Sequence, residues 1–375
     1  MPLNRQASAG SGRPRPPRYS EAELLRFLAA HERFARGEKD GQRAIWRFVQ
    51  APNCDFSGRS FALADLTGAN LQHCRLVRTN LERACLRLAD LRHVDAAEAS
   101  FIHADIRGVS LRRSNLAGAK FDGADMREAV LSPAGVSEDF RLVDRTPSTE
   151  RAPGDVTFEV DFTHCSLRSA RLNHARLNRA NFTGACLAGA DLTGADLRGG
   201  RFRGAILTGV KLNGARIDPG ALDDCVRDPS PQAIGRTARL LQRLAEADRW
   251  VASGGAEGAA AELDGEDLRP LGPALVGRRL TALGARRTCA VGMSFAGAQL
   301  QGARFDDADL RDADFSGADL RGASFRGAKL GFARFTGADL RPLPLASGGE
   351  RAIDLTAAEF GPENDQTALA GARRA

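Results

Sequence analysis

Large apolar residues recur at every fifth position over three stretches of this chain, from Phe56 to Leu131, from Phe162 to Ile217 and from Phe295 to Leu340. The stretches hold 16, 12 and 10 units, and Ala96 alone interrupts the large position within them. A small residue, usually Ala, stands two places before each large one, as in Ala64-Asp65-Leu66-Thr67-Gly68, Ala190-Asp191-Leu192-Thr193-Gly194 and Ala318-Asp319-Leu320-Arg321-Gly322. An α-helix turns about 500° in five residues, so successive large side chains would drift by roughly 140° and never line one face. A strand of period two fails as well, because alternate large residues would fall on opposite sides of the sheet. The chain must therefore turn once per unit, with the small and large residues inward and the other three in water. The frequent Gly two places after the large residue supplies the turn chemistry.

Units of the form A(D/N)LxG, as quoted above, resemble the pentapeptide repeat proteins. The resemblance covers residues 54–133, 160–219 and 293–342. It implies an all-β solenoid, a right-handed quadrilateral parallel β-helix in which four units make one square coil of twenty residues. Coils stacked at strand spacing, about 4.8 Å, would put residues twenty apart above one another, where like charges repel. The columns Arg171, Asp191, Lys211 and Arg176, Asp196, Arg216 alternate in sign, as do Asp55, Arg75, Asp95. Asp105 above Asp125 and Asp319 above Asp339 are exceptions. The expected structural core comprises Phe56, Leu66, Leu71, Leu81, Leu91, Phe101, Leu111, Phe121, Phe162, Leu172, Phe182, Leu192, Phe202, Leu212, Phe295, Phe305, Phe315, Phe325 and Phe335.

A solenoid exposes its terminal core and needs a lid. Ser20 and Glu23 have capping-box spacing, and Leu24, Phe27, Leu28, His31 and Phe34 form one helical stripe after them. Ala44 to Val49, with Trp46 and Phe48 on one parity, reads as a strand-like entry to the first coil. A second amphipathic helix is expected over 233–252, with Ile234, Ala238, Leu241, Leu244 and Val251 on its stripe. Leu25, Leu28, Arg33 and Phe34 match Leu241, Leu244, Arg249 and Trp250 at a constant offset of 216, which points to an internal duplication. The expected cap residues are thus Leu25, Leu28, Phe34, Trp46, Leu241, Leu244 and Trp250, the two tryptophans plugging the solenoid ends. The predicted organisation is a disordered tail (1–20), cap helix and lead-in (21–53), first block (54–133), irregular loop (134–159) and second block (160–219). A helical insertion with the second cap (220–292), a third block closed by a C-terminal cap (293–362) and a tail (363–375) follow. The register shifts across the loop, because Leu131 and Phe162 differ by 31, so the first two blocks need not share faces.

Chemistry-bearing residues follow the repeat. Cys54, Cys74 and Cys165 occupy the small inward position, and reduced thiols standing in for Ala are expected, although Cys54 and Cys74 are twenty apart. His73 and His93 should stack on one face without a third ligand, and His164 and His174 fall on opposite faces, so no metal is expected. No Gly-Lys-Ser or Gly-Lys-Thr follows the Gly-x-x-x-x-Gly spacings. No enzyme activity and no cofactor are expected. No apolar run reaches eighteen residues and the first twenty lack an apolar core, so a cytoplasmic protein without membrane contact is expected.

Net charge is +6 over 375 residues, and Lys plus Arg exceed Asp plus Glu clearly only in the second block, 9 against 4. Arg168, Arg171, Arg176, Arg179, Arg198, Arg201 and Arg203 are its candidate partner-binding residues. The best-known members of the resembled family mimic duplex DNA and modulate DNA gyrase. A mimic about 45 Å long would need roughly 25 uncompensated negative charges, at one per ~1.7 Å. The reading is a non-enzymatic scaffold binding a protein partner through flat faces and projecting loops, with a solenoid end available for a homo-oligomer. The DNA-mimic gyrase modulator and nucleic-acid binding through the basic face of 160–219 are its alternatives.

Overall fold

The protein's structure is a computed structural model describing residues 19–127, 129 and 160–361. Two compact units divide the chain, Met1–Arg227 and Asp228–Ala375. In both, a residue pairs in parallel with the residue about twenty positions later. Asp65 pairs with Ile45 and Cys85, Asp90 with Asn70 and Ser110, and Asp314 with Ser294 and Arg334. The backbone N–H of each large residue donates to the next coil, as Leu66 to the Cys85 carbonyl at 2.7 Å. The N–H after each corner donates back across it, Ala69 to the Leu66 carbonyl at 3.0 Å. That four-residue turn carries a left-handed residue third, Gly68 at φ +64°, as a type II turn requires.

The first unit opens on α1 (Glu21–Ala35). Ser20 caps it reciprocally with Glu23, and Gly37 at φ +76° ends it. Leu24, Leu28 and His31 are fully buried, whereas Phe27, expected on the same stripe, is exposed and packs edge-on to Tyr19. Beneath the helix, Trp46 meets Phe56 and Phe61 at centroid distances of 6.3 and 5.4 Å. Trp46 therefore fills the large position of a coil that already pairs at Ile45, ahead of the expected start at 54. Phe48, expected to share its parity, instead occupies the left-handed corner at φ +58° and is exposed, because the coil turns every fifth residue.

The loop assigned to 134–159 lies outside the described residues, but its two sides meet. β1 (Ser114–Asn115) pairs in parallel with β2 (Val160–Asp161), and Asp125 pairs with Arg171. Both offsets are 46 in place of 20, so 26 residues are passed over and the coil continues on the same faces. Phe101 stacks on Phe121 at 4.7 Å, and Phe162, Phe182 and Phe202 stack at 5.0 and 5.1 Å. Leu66, Leu71, Leu81, Leu91, Leu111, Leu172 and Leu192 are buried, while Leu212, near the last coil, is only half-buried. Pairing runs on to Val226, past the expected boundary at 219.

The second unit opens on α2 (Pro231–Gly235) and α3 (Thr237–Ala252), two helices where one was expected over 233–252. α3 buries Leu240, Leu244 and Ala247. Ile234, expected on the helix stripe, is exposed, and of the expected cap residues Leu241 is exposed and Trp250 half-exposed, so those two are not buried in the cap. Each step along a helix turns the side chain about 100°, and a stripe through Leu240 leaves Leu241 pointing away. The buried trio still matches Leu24, Leu28 and His31 at the predicted offset of 216.

Coil pairing begins at Glu262, within the span 220–292 expected as a helical insertion. The first turn takes 22 residues (Glu262 to Gly284, Asp267 to Cys289), with the 3₁₀ segment Arg269–Leu275 absorbing the surplus, which hides the five-residue rhythm there. Phe295, Phe315 and Phe335 stack along one column and Phe305 and Phe325 along the next. After Asp339, β3 (Leu343–Pro344) and β4 (Glu350–Arg351) form an antiparallel ribbon. Ser324 then pairs with Asp354 and Lys329 with Glu359, so Asp354 and Glu359 lie in a coil that has skipped ten residues.

Candidate interaction face

The aspartate before each large residue caps its own turn. Its carboxylate accepts the backbone N–H two residues on, as Asp65 does from Thr67 at 3.2 Å, and Asn80 serves Glu82 in the same way. This Asx geometry is why Asp and Asn interchange in the unit. Where Arg follows at that second position, its guanidinium folds back as a fork onto the same carboxylate. Asp105 with Arg107, Asp125 with Arg127, Asp196 with Arg198 and Asp319 with Arg321 are examples, at 2.5 to 2.9 Å. The stacked pairs Asp105/Asp125 and Asp319/Asp339, exceptions to sign alternation, are resolved by these forks. Arg107 also reaches Asp125 at 3.8 Å and Arg321 reaches Asp339 at 3.7 Å. Burial raises the pKa of the Asp125 carboxyl, but the guanidinium and backbone N–H of Arg127, with the charge of Arg171, together hold it below the usual range, which leaves it no proton to exchange near neutrality.

Five of the six histidines, His73, His93, His103, His164 and His174, occupy left-handed corners. His tolerates that conformation better than bulky or β-branched residues. His73 and His93 stack at 4.6 Å with planes 5° apart. Among the described residues no three His, Cys, Asp or Glu gather as metal ligands. None of the seven cysteines is joined in a disulfide. Cys74 donates to the Ala51 carbonyl at 3.0 Å, and burial pushes its thiol up to about 12.

The structure sorts the candidate arginines by face. Arg168 approaches Asp122, and Arg171 reaches Asp125 at 3.5 Å on the face that also carries Asp191 and Lys211. Arg201 and Arg203 flank Phe202 on a third face. Arg176, Arg179 and Arg198 share the remaining face with Arg216, since Arg176, Asp196 and Arg216 pair in succession. A shallow depression there is lined by His174, Arg176, Asn178, Gly194, Asp196, Arg198, Gly214 and Arg216.

Continuity across the 26 passed-over residues adds residues that the sequence left apart. Arg176 donates its N–H to the Ala129 carbonyl, so Arg112 and Arg113 lie two coils below Asn178 and Arg179 on the same face. Arg92, His73 and His93 continue it downward. Among the described residues of this face, seven arginines thus face three aspartates, and all three aspartates are engaged: Asp90 by Arg92, Asp196 by Arg198, and Asp218 by the Gly199 N–H. Burial, then the charges of His73, Arg113, Arg92 and Arg112, lower the pKa of His93. A second groove, lined by Asp248, Arg249, Pro273, Val276, Arg278 and Arg279, lies beside α3 in the second unit. No helix among the described residues is long and apolar enough to cross a membrane.

These coils and turns define a repeat protein of the β-helix type. The family model "Pentapeptide repeats" matches residues 161–199, 185–218 and 303–341 in 8 copies, and "Pentapeptide repeat region" matches 44–121. Over those residues the chain carries the repeats of the pentapeptide repeat family. No curated protein matches it. Similar solved structures include HetL of Nostoc sp. strain PCC 7120, described as involved in heterocyst differentiation regulation. It is 18% identical, with 90% of this chain and 93% of that one covered, at a TM-score of 0.22. QnrB1, a plasmid-mediated fluoroquinolone resistance protein in a trypsin-treated form, is 21% identical over 48% and 88% of the chains, at 0.26. A thylakoid-lumen pentapeptide repeat protein of Arabidopsis thaliana is 18% identical over 52% and 77%, at 0.16. With TM-scores this low, the family assignment rests on the repeat and on this chain's own pairing.

Proposed function

We propose that the protein is a non-enzymatic scaffold, a right-handed quadrilateral β-helix in each unit, that acts in the cytoplasm by binding other macromolecules on its flat faces. The observation that carries this reading is the fate of its carboxylates. They cap turns and close Arg forks along the coils, which commits them to the fold and leaves regular surfaces of one coil spacing. Long repetitive surfaces are what solenoids offer to partners. The forks also speak against a duplex-DNA mimic, whose carboxylates would have to stay uncompensated.

Photo-crosslinking residues at Ser110, Thr183, Thr193 and Thr208, one on each face of the first unit, test the proposal in native lysate. Crosslinks concentrated on one or two faces support it. Absence of any face-specific product would sink it. Gyrase supercoiling should be unaffected by the purified protein once plasmid is in excess over it, and inhibition that excess plasmid does not relieve would restore the DNA-mimic reading.

A further inference from the structure

We infer that the arginine-bearing face of the first unit is a binding surface for the phosphodiester backbone of a nucleic acid. The inference rests on the scaffold reading and assigns one face of that scaffold to a chemical class of partner.

Three observations converge on it. First, the face gathers positive charge from both sides of the passed-over segment, with Arg112 and Arg113 below and Arg176, Arg179, Arg198 and Arg216 above. Its three aspartates are already held by Arg92, Arg198 and a backbone N–H. Its own column Arg176, Asp196, Arg216 alternates in sign as Arg171, Asp191, Lys211 does on the neighbouring face, and the excess of positive charge comes from Arg112, Arg113 and Arg179 beside that column. Second, the arginines keep the coil repeat. Five coil steps of about 4.8 Å separate the Arg92 coil from the Arg216 coil, a span of roughly 24 Å. Guanidiniums set at whole coil steps along one flat face suit an extended polymer of negative charge. Arginine forks also bind phosphate in bidentate fashion. Third, Arg112 Nε is buried with no hydrogen-bond partner, and Arg113, Arg179 and Arg216 are exposed.

The edges of the face are suited to the same ligand. The exposed Phe48 and Leu88 stand at one corner of this face, and the stacked His73 and His93 at the other. They offer apolar and ring surfaces beside the charged track, as single-strand binding surfaces do.

The test is fluorescence anisotropy of the full chain with a 20-nucleotide single strand and the matching duplex, across a salt series. Binding to either probe with a strong inverse salt dependence is expected, and the tighter probe identifies the source of the phosphates. The variant Arg113→Glu/Arg179→Glu/Arg216→Glu should bind at least tenfold more weakly. Its salt slope should be shallower by about 3, because each lost phosphate contact removes roughly 0.9. The control Arg83→Glu/Lys120→Glu, on the opposite face, should bind within about threefold of the parent, with circular dichroism showing both variants folded. No binding of either probe, or equal losses in the two variants, would overturn the inference. So would competition by poly-glutamate as effective as by oligonucleotide at equal charge, which would assign the face to an acidic protein. If oligonucleotides fail while crosslinks on another face persist, the scaffold reading survives alone; if both fail, it falls too.

Discussion

At each coil corner the backbone enters the left-handed region, and this single torsion decides which residues the position accepts. Where it is not glycine, the corner side chain often drapes over a glycine one coil on. A Cβ at Gly194 would come within 2.5 Å of the His174 ring, whereas one at Gly214 would meet nothing within 4 Å, though both have φ near +67°. Gly214→Ala should therefore cost about 1–2 kcal/mol for the torsion alone. Gly194→Ala should cost measurably more, and denaturant titration of the two variants would show it; equal costs would mean the ring simply moves aside. Cys74, raised to about 12 by burial, should resist thiol reagents in the native protein at pH 8 and react fully once unfolded. Mass-spectrometric labelling checks this, and rapid native labelling would contradict the buried placement. The inward position of Cys74 was legible from its place in the repeat. The corner role of the histidines was not, since it depends on torsion and not on polarity.

The cap helices are the elements on which each unit's exposed end depends, and acid-arginine pairs latch each to the coil beneath. In the first unit Arg59 grips Glu32 through two bonds of 2.8 Å, and Ser60 N–H joins at 3.1 Å. In the second, Arg278 meets Asp248 at 3.2 Å. Glu32 and Asp248 are again 216 apart, so the duplication extends to the acid of the latch, while its arginines Arg59 and Arg278 are 219 apart. The Arg59 guanidinium lowers the Glu32 carboxyl pKa, which means its contribution is present above the ordinary carboxylate range and is lost as pH falls through it. Glu32→Gln should lose about 1–2 kcal/mol of stability at pH 7 and show less loss on acidification to pH 3. His31 acts at a higher pH. Buried against the first coil, with Nδ1 accepting the Ala44 N–H at 3.0 Å, it has a pKa lowered chiefly by burial. The fold binds fewer protons there than the unfolded chain, so its stability falls as pH drops below about 6.5. Melting midpoints of the parent and His31→Phe, compared from pH 7.5 to 5, should diverge; parallel curves would refute the assignment. The capping box of α1 was plain in its sequence, but the stripe of α3 slipped by one residue, because Leu240 and Leu241 are both apolar and only packing chooses between them.

Across the whole molecule, the aspartates act together. The Thr193 hydroxyl lowers Asp191 to about 2, and the Arg341 guanidinium lowers Asp339 to about 2. Depressed carboxylates stabilise the fold above the unfolded value near 3.9 and cease to do so as pH falls toward 2. Thermal stability should be nearly flat from pH 7.5 to 5 in the double variant His31→Phe/His93→Asn, which removes both histidines of lowered pKa, and collapse between pH 4 and 2. A midpoint of acid unfolding near pH 5 would contradict the fork network. The sequence by itself determined the repeat, the inward positions and the twenty-residue stacking, because a five-residue period admits only one way of burying every large side chain. It could not say that 26 residues are passed over without loss of register, nor that the first turn of the second unit takes 22. Periodicity is a local signal, whereas pairing between coils is chosen by the hydrogen bonds that close them. Only that tertiary pairing set Arg112 and Arg113 on one face with Arg179 and Arg216, and so turned scattered basic residues into a surface.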